Sequence, residues 1–489
     1  MDDEPVSAPP LRPPLQSSKV PRENEPDEYE LVRKWHEERL QRKLRGEYES
    51  AVMHLADVVN NSLERPARIA SVRVVGATNT RPAFLSSLVA PYLSPTPTSL
   101  RSVLDATRGM SHILTETGLF RTLDARLEKS RSPFARDQDV DVVIGVRERG
   151  RFWANTSTEV GNGEGSASAT VRINNAFGGA EAVQASFATG TKTKRSFNAS
   201  LSAPLSSDLK TRGELSAFLS ERDHSSFASC FEGLRGAKAV VRTTRWGGLH
   251  ELAYEAVLRH IGSLTPTASI SKRQSAGHTF KSAVSHSYTL DTRDSPIQGT
   301  RGALLKLSQE LAGVGGGDAS FYKVHGEASV TRPLFPGTWI SLGARSGAMW
   351  ALGGRPTLFS DRFQLGGPTS LRMFRQNSMG PRDDDDSLGG DIYYSAGLSL
   401  ISDIPRKAHW PVKTHVFVNA GRLDTMSQEK TFVENVTDVL SKPSISAGVG
   451  LIYRFDPIRV EVNFGVPLVA SASDGARKGV QVGMGIEFL

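Results

Sequence analysis

The sequence predicts a mainly β protein: a 16-stranded antiparallel transmembrane β-barrel, preceded by one small βααββ domain and an N-terminal charged helix with a disordered tail. Three observations carry this. From Gly150 onward helical periodicity disappears, and alternating apolar and polar residues recur with turn residues between them. These runs often reach nine residues or more, longer than the ~5–6 of an average soluble strand and close to the ~9–11 that cross a bilayer at a tilt. Ahead of them, patterns for a strand, two helices and two strands follow one another within residues 67–149.

Residues 1–26 are rich in Pro and charge, lack periodicity and read as a disordered tail. Over residues 27–66, Leu31, Trp35, Leu40, Leu44, Tyr48, Val52, Leu55 and Val59 recur near the helical period amid Glu, Lys and Arg. That spacing predicts a charged amphipathic helix, ended by Pro66, that is a solvated surface element or a docking face. Residues 67–149 predict one α+β domain. Its strand over 69–75 runs into Gly76, and its helix over about 81–90 is broken by Pro91. A second helix over about 98–116 stops at Gly118, and strands follow over 120–128 and 140–148.

Composition narrows the function classes. Lys and Arg number 59 and Asp and Glu 52, a formal charge of +7. This mild surplus permits anionic partners and argues for none. A single cysteine, Cys230, excludes a disulfide framework and a Cys-based zinc site. The longest stretch without charge or His, residues 82–100, contains Pro82, Pro91, Pro95 and Pro97 and cannot be a spanning helix. The acidic opening Met1-Asp2-Asp3-Glu4 predicts a chain without a signal or transit peptide. The histidines show no close ligand pairing, so no metal site is expected, and no nucleophile elbow or P-loop occurs. The acidic run Asp383–Asp386 predicts a solvated loop tip, and Cys230 an inert residue.

Residues 150–489 then read as the barrel. In the final run Val480, Val482, Met484, Ile486 and Phe488 share one face and Gln481, Gly483, Gly485 and Glu487 the other. The run before it sets Val460, Val462, Phe464 and Val466 against Arg459, Glu461, Asn463 and Gly465. Such alternation fits a soluble sandwich with its apolar face inside, or a membrane barrel with that face on lipid. Strand length and the small, mixed character of the faces favour the barrel. About sixteen such runs occur, an even number as single-chain barrels have. The chain is expected to end with its last strand, which would pair with the first and leave no edge in lipid.

One connection is far longer than a turn. The loop over 350–390 carries Phe363-Gln-Leu-Gly-Gly-Pro-Thr-Ser-Leu-Arg-Met-Phe374, then Met379-Gly380-Pro381 and Leu388-Gly389-Gly390-Asp391. A loop of this length asks for a functional reason. It resembles the signature loop of the outer-membrane β-barrel insertase superfamily. The βααββ unit, with Val72…Gly76 and Glu116-Thr117-Gly118-Leu119-Phe120, resembles a polypeptide-transport-associated (POTRA) domain. One such domain and sixteen strands resemble the superfamily's mitochondrial branch, the barrel subunits of the sorting and assembly machinery. The loop site is then Gly366, Gly367, Leu371, Arg372, Met373 and Phe374, with Asn419 on the facing wall strand. Two positions depart from the family pattern. Met373 stands where Gly is usual, and a side chain there resists the positive φ that Gly allows. Asn419 stands where bacterial relatives carry Asp, and it cannot neutralise Arg372.

The resemblance implies an insertase without bond chemistry. It would fold β-barrel precursors into the mitochondrial outer membrane, with the N-terminal domain in the intermembrane space; a protein-translocating or passive solute channel on the same scaffold is the alternative. The expected partners are β-barrel precursor polypeptides, accessory subunits of the sorting and assembly complex and membrane lipids, with no nucleic acid, cofactor or metal. An unpaired strand entering lipid leaves N–H and C=O groups that each cost several kcal/mol, which a template strand at a lateral gate would satisfy. The first strand, Phe152, Trp153, Ala154, Asn155, Thr156, Ser157, Thr158, Glu159 and Val160, is polar at its centre and suits loose register. In the last strand Gln481, Gly483, Ile486 and Phe488 match the sorting signal ascribed to mitochondrial barrels.

Overall fold

A computed structural model describes residues 28–44, 60–93, 98–161, 164–297, 299–407, 409–427, 429–455, 458–485 and 488. The tail predicted over 1–26 and the middle of the predicted N-terminal helix lie outside the described residues; helix α1 covers Glu28–Leu44. The chain divides into two compact units. One comprises Met1–Val75, Pro91–His112 and Asp124–Gly145, the other Gly76–Ala90, Ile113–Leu123 and Val146–Leu489.

The elements after α1 follow the predicted βααββ order. They are β1 (Pro66–Val75), α2 (Pro82–Val89), a short β2 (Thr98–Ser99), α3 (Leu100–Glu116), β3 (Phe120–Lys129) and β4 (Asp139–Glu148). The sheet order is β2-β1-β4-β3. β1 pairs parallel with β4, Val72 beside Val142 and Val74 beside Ile144, and Val142 and Ile144 are fully buried. A parallel pair needs a long crossover, which the two helices supply. The second helix starts two residues later than predicted, because Thr98 and Ser99 pair with Ala67 and Pro66.

Sixteen antiparallel strands form the second sheet. They are β5 (Phe152–Gly161), β6 (Glu164–Asn174), β7 (Ala182–Gly190), β8 (Thr193–Pro204), β9 (Thr211–Asp223), β10 (Phe231–Thr243), β11 (Leu249–Gly262), β12 (Gly277–Asp291), β13 (Gly302–Ala312), β14 (Phe321–Phe335), β15 (Thr338–Ala351), β18 (Ile392–Asp403), β19 (Val412–Asp424), β20 (Ser444–Phe455), β21 (Ile458–Val469) and β22 (Gly479–Gly485). Two-residue strands β16 (Arg382–Asp383) and β17 (Asp386–Ser387) pair within the long loop. The ends of the sheet, β22 and β5, lie side by side and make it a barrel.

The period-two pattern sorts as lipid requires. Leu215, Leu252, Leu342, Val416, Val449, Phe464, Val480 and Val482 are more than half exposed on the outside. Leaving such side chains in water forgoes about 1.5–3 kcal/mol each, a loss that hydrocarbon removes. The inner face carries ion pairs such as Arg242–Glu251 at 2.7 Å, Lys281–Glu310 at 2.8 Å and Arg345–Glu327 at 2.9 Å.

The interior is not uniformly polar, however. Phe363, Leu365, Leu371, Phe374 and Met379 of the long loop join Phe321, Met349, Tyr393 and Leu423 of the wall in one apolar core. The loop supplies the grease that the strands' inner faces lack. Alternation also missed helix α6 (Phe432–Ser441) in the connection after β19. Its capping box, in which Thr431 and Glu434 satisfy each other's backbone N–H, is a sequence signature that would have revealed it.

Candidate functional site: a loop clasped across the barrel lumen

The loop between β15 and β18 begins its crossing at Asp361. This buried carboxylate takes two hydrogen bonds of 2.7 Å from Arg259 of β11, and Lys323 of β14 donates to its carbonyl at 2.6 Å. Phe363 then packs on Tyr393, ring centroids 4.8 Å apart. Gly366 and Gly367 adopt φ of +109° and +115°, and a Cβ on Gly366 would lie 2.5 Å from the Arg375 carbonyl. Only Gly makes that turn without a clash. Arg345 of β15 donates to the Thr369 carbonyl at 3.0 Å, and Leu371 beyond it is fully buried.

Arg372 is the centre of the site. Its side chain is 1% exposed and makes a fork on Glu461 of β21, Nε to Oε2 at 2.9 Å and Nη2 to Oε1 at 3.2 Å. Asn419 of β19 accepts from Nη1 at 3.2 Å while its own NH2 donates to the Val418 carbonyl at 3.1 Å. The guanidinium stacks 5.1 Å from the Phe417 ring. Ser446 of β20 donates to the Arg372 carbonyl at 2.8 Å. Glu461 also accepts from Arg459 and, at 3.0 Å, from Asn463. The neutralising charge that Asn419 cannot provide therefore comes from Glu461, a residue that sequence reasoning placed on the polar face of its strand and gave no role. Its signal was visible there: an acid at an inward position two strands away. Arg259 and Asp361, which meet across 102 positions of chain, carry no local signal of their pairing.

Met373 takes the positive φ, +67°, that the sequence reading held against it, and it is fully buried. Room exists because Gly465 faces it: a Cβ there would stand 2.6 Å from the Met373 sulfur. A left-handed non-glycine residue costs roughly 1–2 kcal/mol, which a buried thioether side chain offsets.

The loop also grips the terminal strand. Gln481 accepts from the Met373 N–H and donates to the Phe374 carbonyl, both at 2.9 Å. Gly483 faces inward beside Pro368, where a Cβ would come within 2.5 Å. Ile486 lies outside the described residues. Phe488 departs from the predicted alternation. Its ring turns inward, 5.0 Å from the Arg459 guanidinium and 5.9 Å from that of Arg372. Attraction between the ring and the two guanidiniums accounts for the turn.

The first strand is differently placed. Phe152, Trp153, Ala154, Asn155, Thr156 and Thr158 are all exposed, so β5 is bare on both faces over this length. Ser157 shares a 2.7 Å hydrogen bond with Ser168 of β6. The side chains of Glu159 and Val160 lie outside the described ones. The loop residues thus cluster with Gln481, Gly483 and Phe488 of the terminal segment, whereas the described first-strand residues make no hydrogen bond to the loop.

One further expectation is corrected in part. Within the acidic run 383–386, Asp384 and Asp385 are exposed, as a solvated tip requires, but the two outer carboxylates are engaged. Asp386 is buried and accepts the Ser269 N–H at 2.8 Å, and Asp383 accepts that of Ser271 at 3.0 Å. Helix α5 (Ile270–Gln274) presents unpaired N–H groups at that end, which carboxylates satisfy. The hydrogen bond from the Ser271 side chain, then that from its backbone, hold Asp383 below the usual carboxylate range. Beside it Lys272 is fully buried over the Phe359 ring, and burial pulls its ammonium down to about 8. Burial likewise pushes the Cys230 thiol up to about 11.

Comparison with known proteins places this arrangement. The Omp85 superfamily domain matches residues 175–488. A SAM50-like protein of Schizosaccharomyces pombe is 34% identical over 451 residues, covering 90% of this chain and 95% of that protein. The sorting and assembly machinery component 50 homolog of Bos taurus is 34% identical over 382 residues, covering 77% and 81%. Among solved structures, BamA from Haemophilus ducreyi lacking POTRA domains 1–3 superposes with a TM-score of 0.72 at 19% identity, over 86% of this chain and 85% of that one, a likeness of fold. On these matches the chain belongs to the Omp85 superfamily and, within it, to the sorting and assembly machinery component 50 proteins.

Proposed function

We propose that the chain assembles β-barrel precursors into the mitochondrial outer membrane by pairing their strands at a lateral gate between β5 and β22. The observation that carries this reading is an asymmetry. The inner side of β22 is clasped by the loop through Gln481, whereas β5 is bare on both faces from Phe152 to Thr156. A clasped strand stays with its barrel when the two edges part, and a bare one offers its N–H and C=O row to a newcomer. No bond is made or broken; removal of apolar strand faces from water drives insertion, and strand pairing offsets the cost of taking backbone N–H and C=O groups out of water.

In this reading residues 67–149 are a single POTRA domain in the intermembrane space that receives precursors, and α1 is a docking face for an accessory subunit. The loop site of Gly366, Gly367, Leu371, Arg372, Met373, Phe374 and Asn419 holds the terminal strand in register. Depletion of the protein followed by import of a labelled barrel precursor tests the function, and assembly should fail. Cross-linking from Trp153 to Thr158 should capture the precursor's terminal strand. Capture only along mid-barrel strands such as β11 to β14 would reject the gate.

A further inference from the structure

A cavity of about 580 Å³ opens at the base of the first barrel strands. Its lining includes Arg149, Arg151, Arg172 and Arg212, and all its residues belong to the second compact unit. The two carboxylates on its wall are already engaged. Glu181 pairs with Arg81 at 2.5 Å, and Glu148 accepts from Thr80 at 2.7 Å and from the Asn79 side chain at 2.6 Å. The guanidiniums find no such partner: among the described residues none of the four meets a carboxylate. Arg149 donates to the Phe120 carbonyl at 3.1 Å, and Arg151 to the Asn175 and Ala176 carbonyls at 2.9 and 2.7 Å. Nε of Arg172 is buried without a hydrogen-bond partner. Four like charges around one cavity repel each other, and an anion placed among them relieves that and completes their hydrogen bonds.

Strand direction says which anion arrives. β5 runs away from this cavity, from Phe152 upward, and every neighbouring pair in the barrel is antiparallel. A newcomer pairing antiparallel with the free edge of β5 runs toward the cavity and leaves its C-terminal end beside Phe152, which lines it together with Trp153. We infer that the arginine cavity receives the carboxylate end of the incoming terminal strand and so sets its register on β5. The inference rests on the template role of β5 proposed above. A guanidinium fork recognises a carboxylate in two parallel hydrogen bonds, so one contact fixes both position and direction. It supplies the register that the weakly patterned centre of β5 does not.

The test uses full-length protein in detergent micelles with a photo-reactive residue at Thr156. The probe is a fluorescent peptide with the sequence of residues 478–489 of this chain, made as the free acid and as the C-terminal carboxamide. The free acid is expected to cross-link at position 156 and to bind about tenfold more tightly than the carboxamide. The gap should close in the Arg172→Gln/Arg212→Gln variant and narrow as salt is raised. Equal affinity of the two peptides with the cross-link intact would overturn the carboxylate site and leave the template strand standing. Absence of the cross-link would overturn both. The acid-to-amide contrast on unaltered protein decides the matter even where the double variant fails to fold.

Discussion

Glu461→Gln is the sharpest perturbation of the lumenal clasp, because it keeps shape and removes one charge. Glu461 is fully buried and accepts two hydrogen bonds from Arg372, one from Arg459 and one from Asn463. After the substitution two buried guanidiniums face a neutral amide whose NH2 can only oppose them. Stripping one partner from a buried ion pair costs about 3–5 kcal/mol. With two cations left exposed to each other, the expected loss is about 4 kcal/mol. Arg372→Met removes one of Glu461's two cations and leaves Arg459 and Asn463 in place, so about half that loss is expected. The double variant should cost less than the sum by roughly 1–3 kcal/mol, since the pair acts as a unit. Urea unfolding in detergent micelles measures the stability, and limited proteolysis of residues 363–391 measures whether the loop has left the wall. A Glu461→Gln protein as stable as one with the exposed Glu429→Gln change, its loop still protected, would refute the clasp.

Three other outcomes follow from the same geometry. Met373→Gly relieves a left-handed backbone strain of about 1–2 kcal/mol but deletes a fully buried side chain worth about 2–5, so the unfolding free energy from urea titration should fall by about 1–3 kcal/mol net. Gln481→Leu strands the Met373 N–H and the Phe374 carbonyl, at about 1–3 kcal/mol apiece, and should speed amide hydrogen exchange at Met373 while β11 to β14 stay protected. Lys272→Met should stabilise the protein in a pH-dependent way. Burial lowers the folded-state ammonium to about 8 against an ordinary 10.5, so below pH 8 the folded state carries the full cost of a buried charge, about 3 kcal/mol. That cost fades as pH rises from 8 through 10.5, and the variant's advantage in thermal unfolding should fade with it.

The barrel could be read from local patterning because period two is a property of each strand alone. Val480 and Val482 face out and Gln481 faces in whatever their neighbours are. The βααββ order was legible for a similar reason, since Pro91 and Gly118 stop helices locally. Short-range grammar failed at Phe488, whose ring follows two cations instead of the alternation, and at Thr431, where a capping box went unread. The acidic run 383–386 reads as a solvated tip throughout, although only Asp384 and Asp385 are exposed, because nothing nearby in the chain needs the outer carboxylates. Its partners, Ser269 and Ser271, lie more than a hundred residues back.

The amino-acid order alone thus settled that the C-terminal two-thirds of the chain is a barrel with its apolar faces outward, and that residues 363–374 are its unusual loop. Folding decided the chemistry of that loop. Arg372 meets Glu461 across 89 positions of chain, and Arg259 meets Asp361 across 102. Closing the sheet brings the inner faces of distant strands onto one lumen, and in a space shielded from bulk water each buried charge must find its counter-charge from whichever strand then faces it.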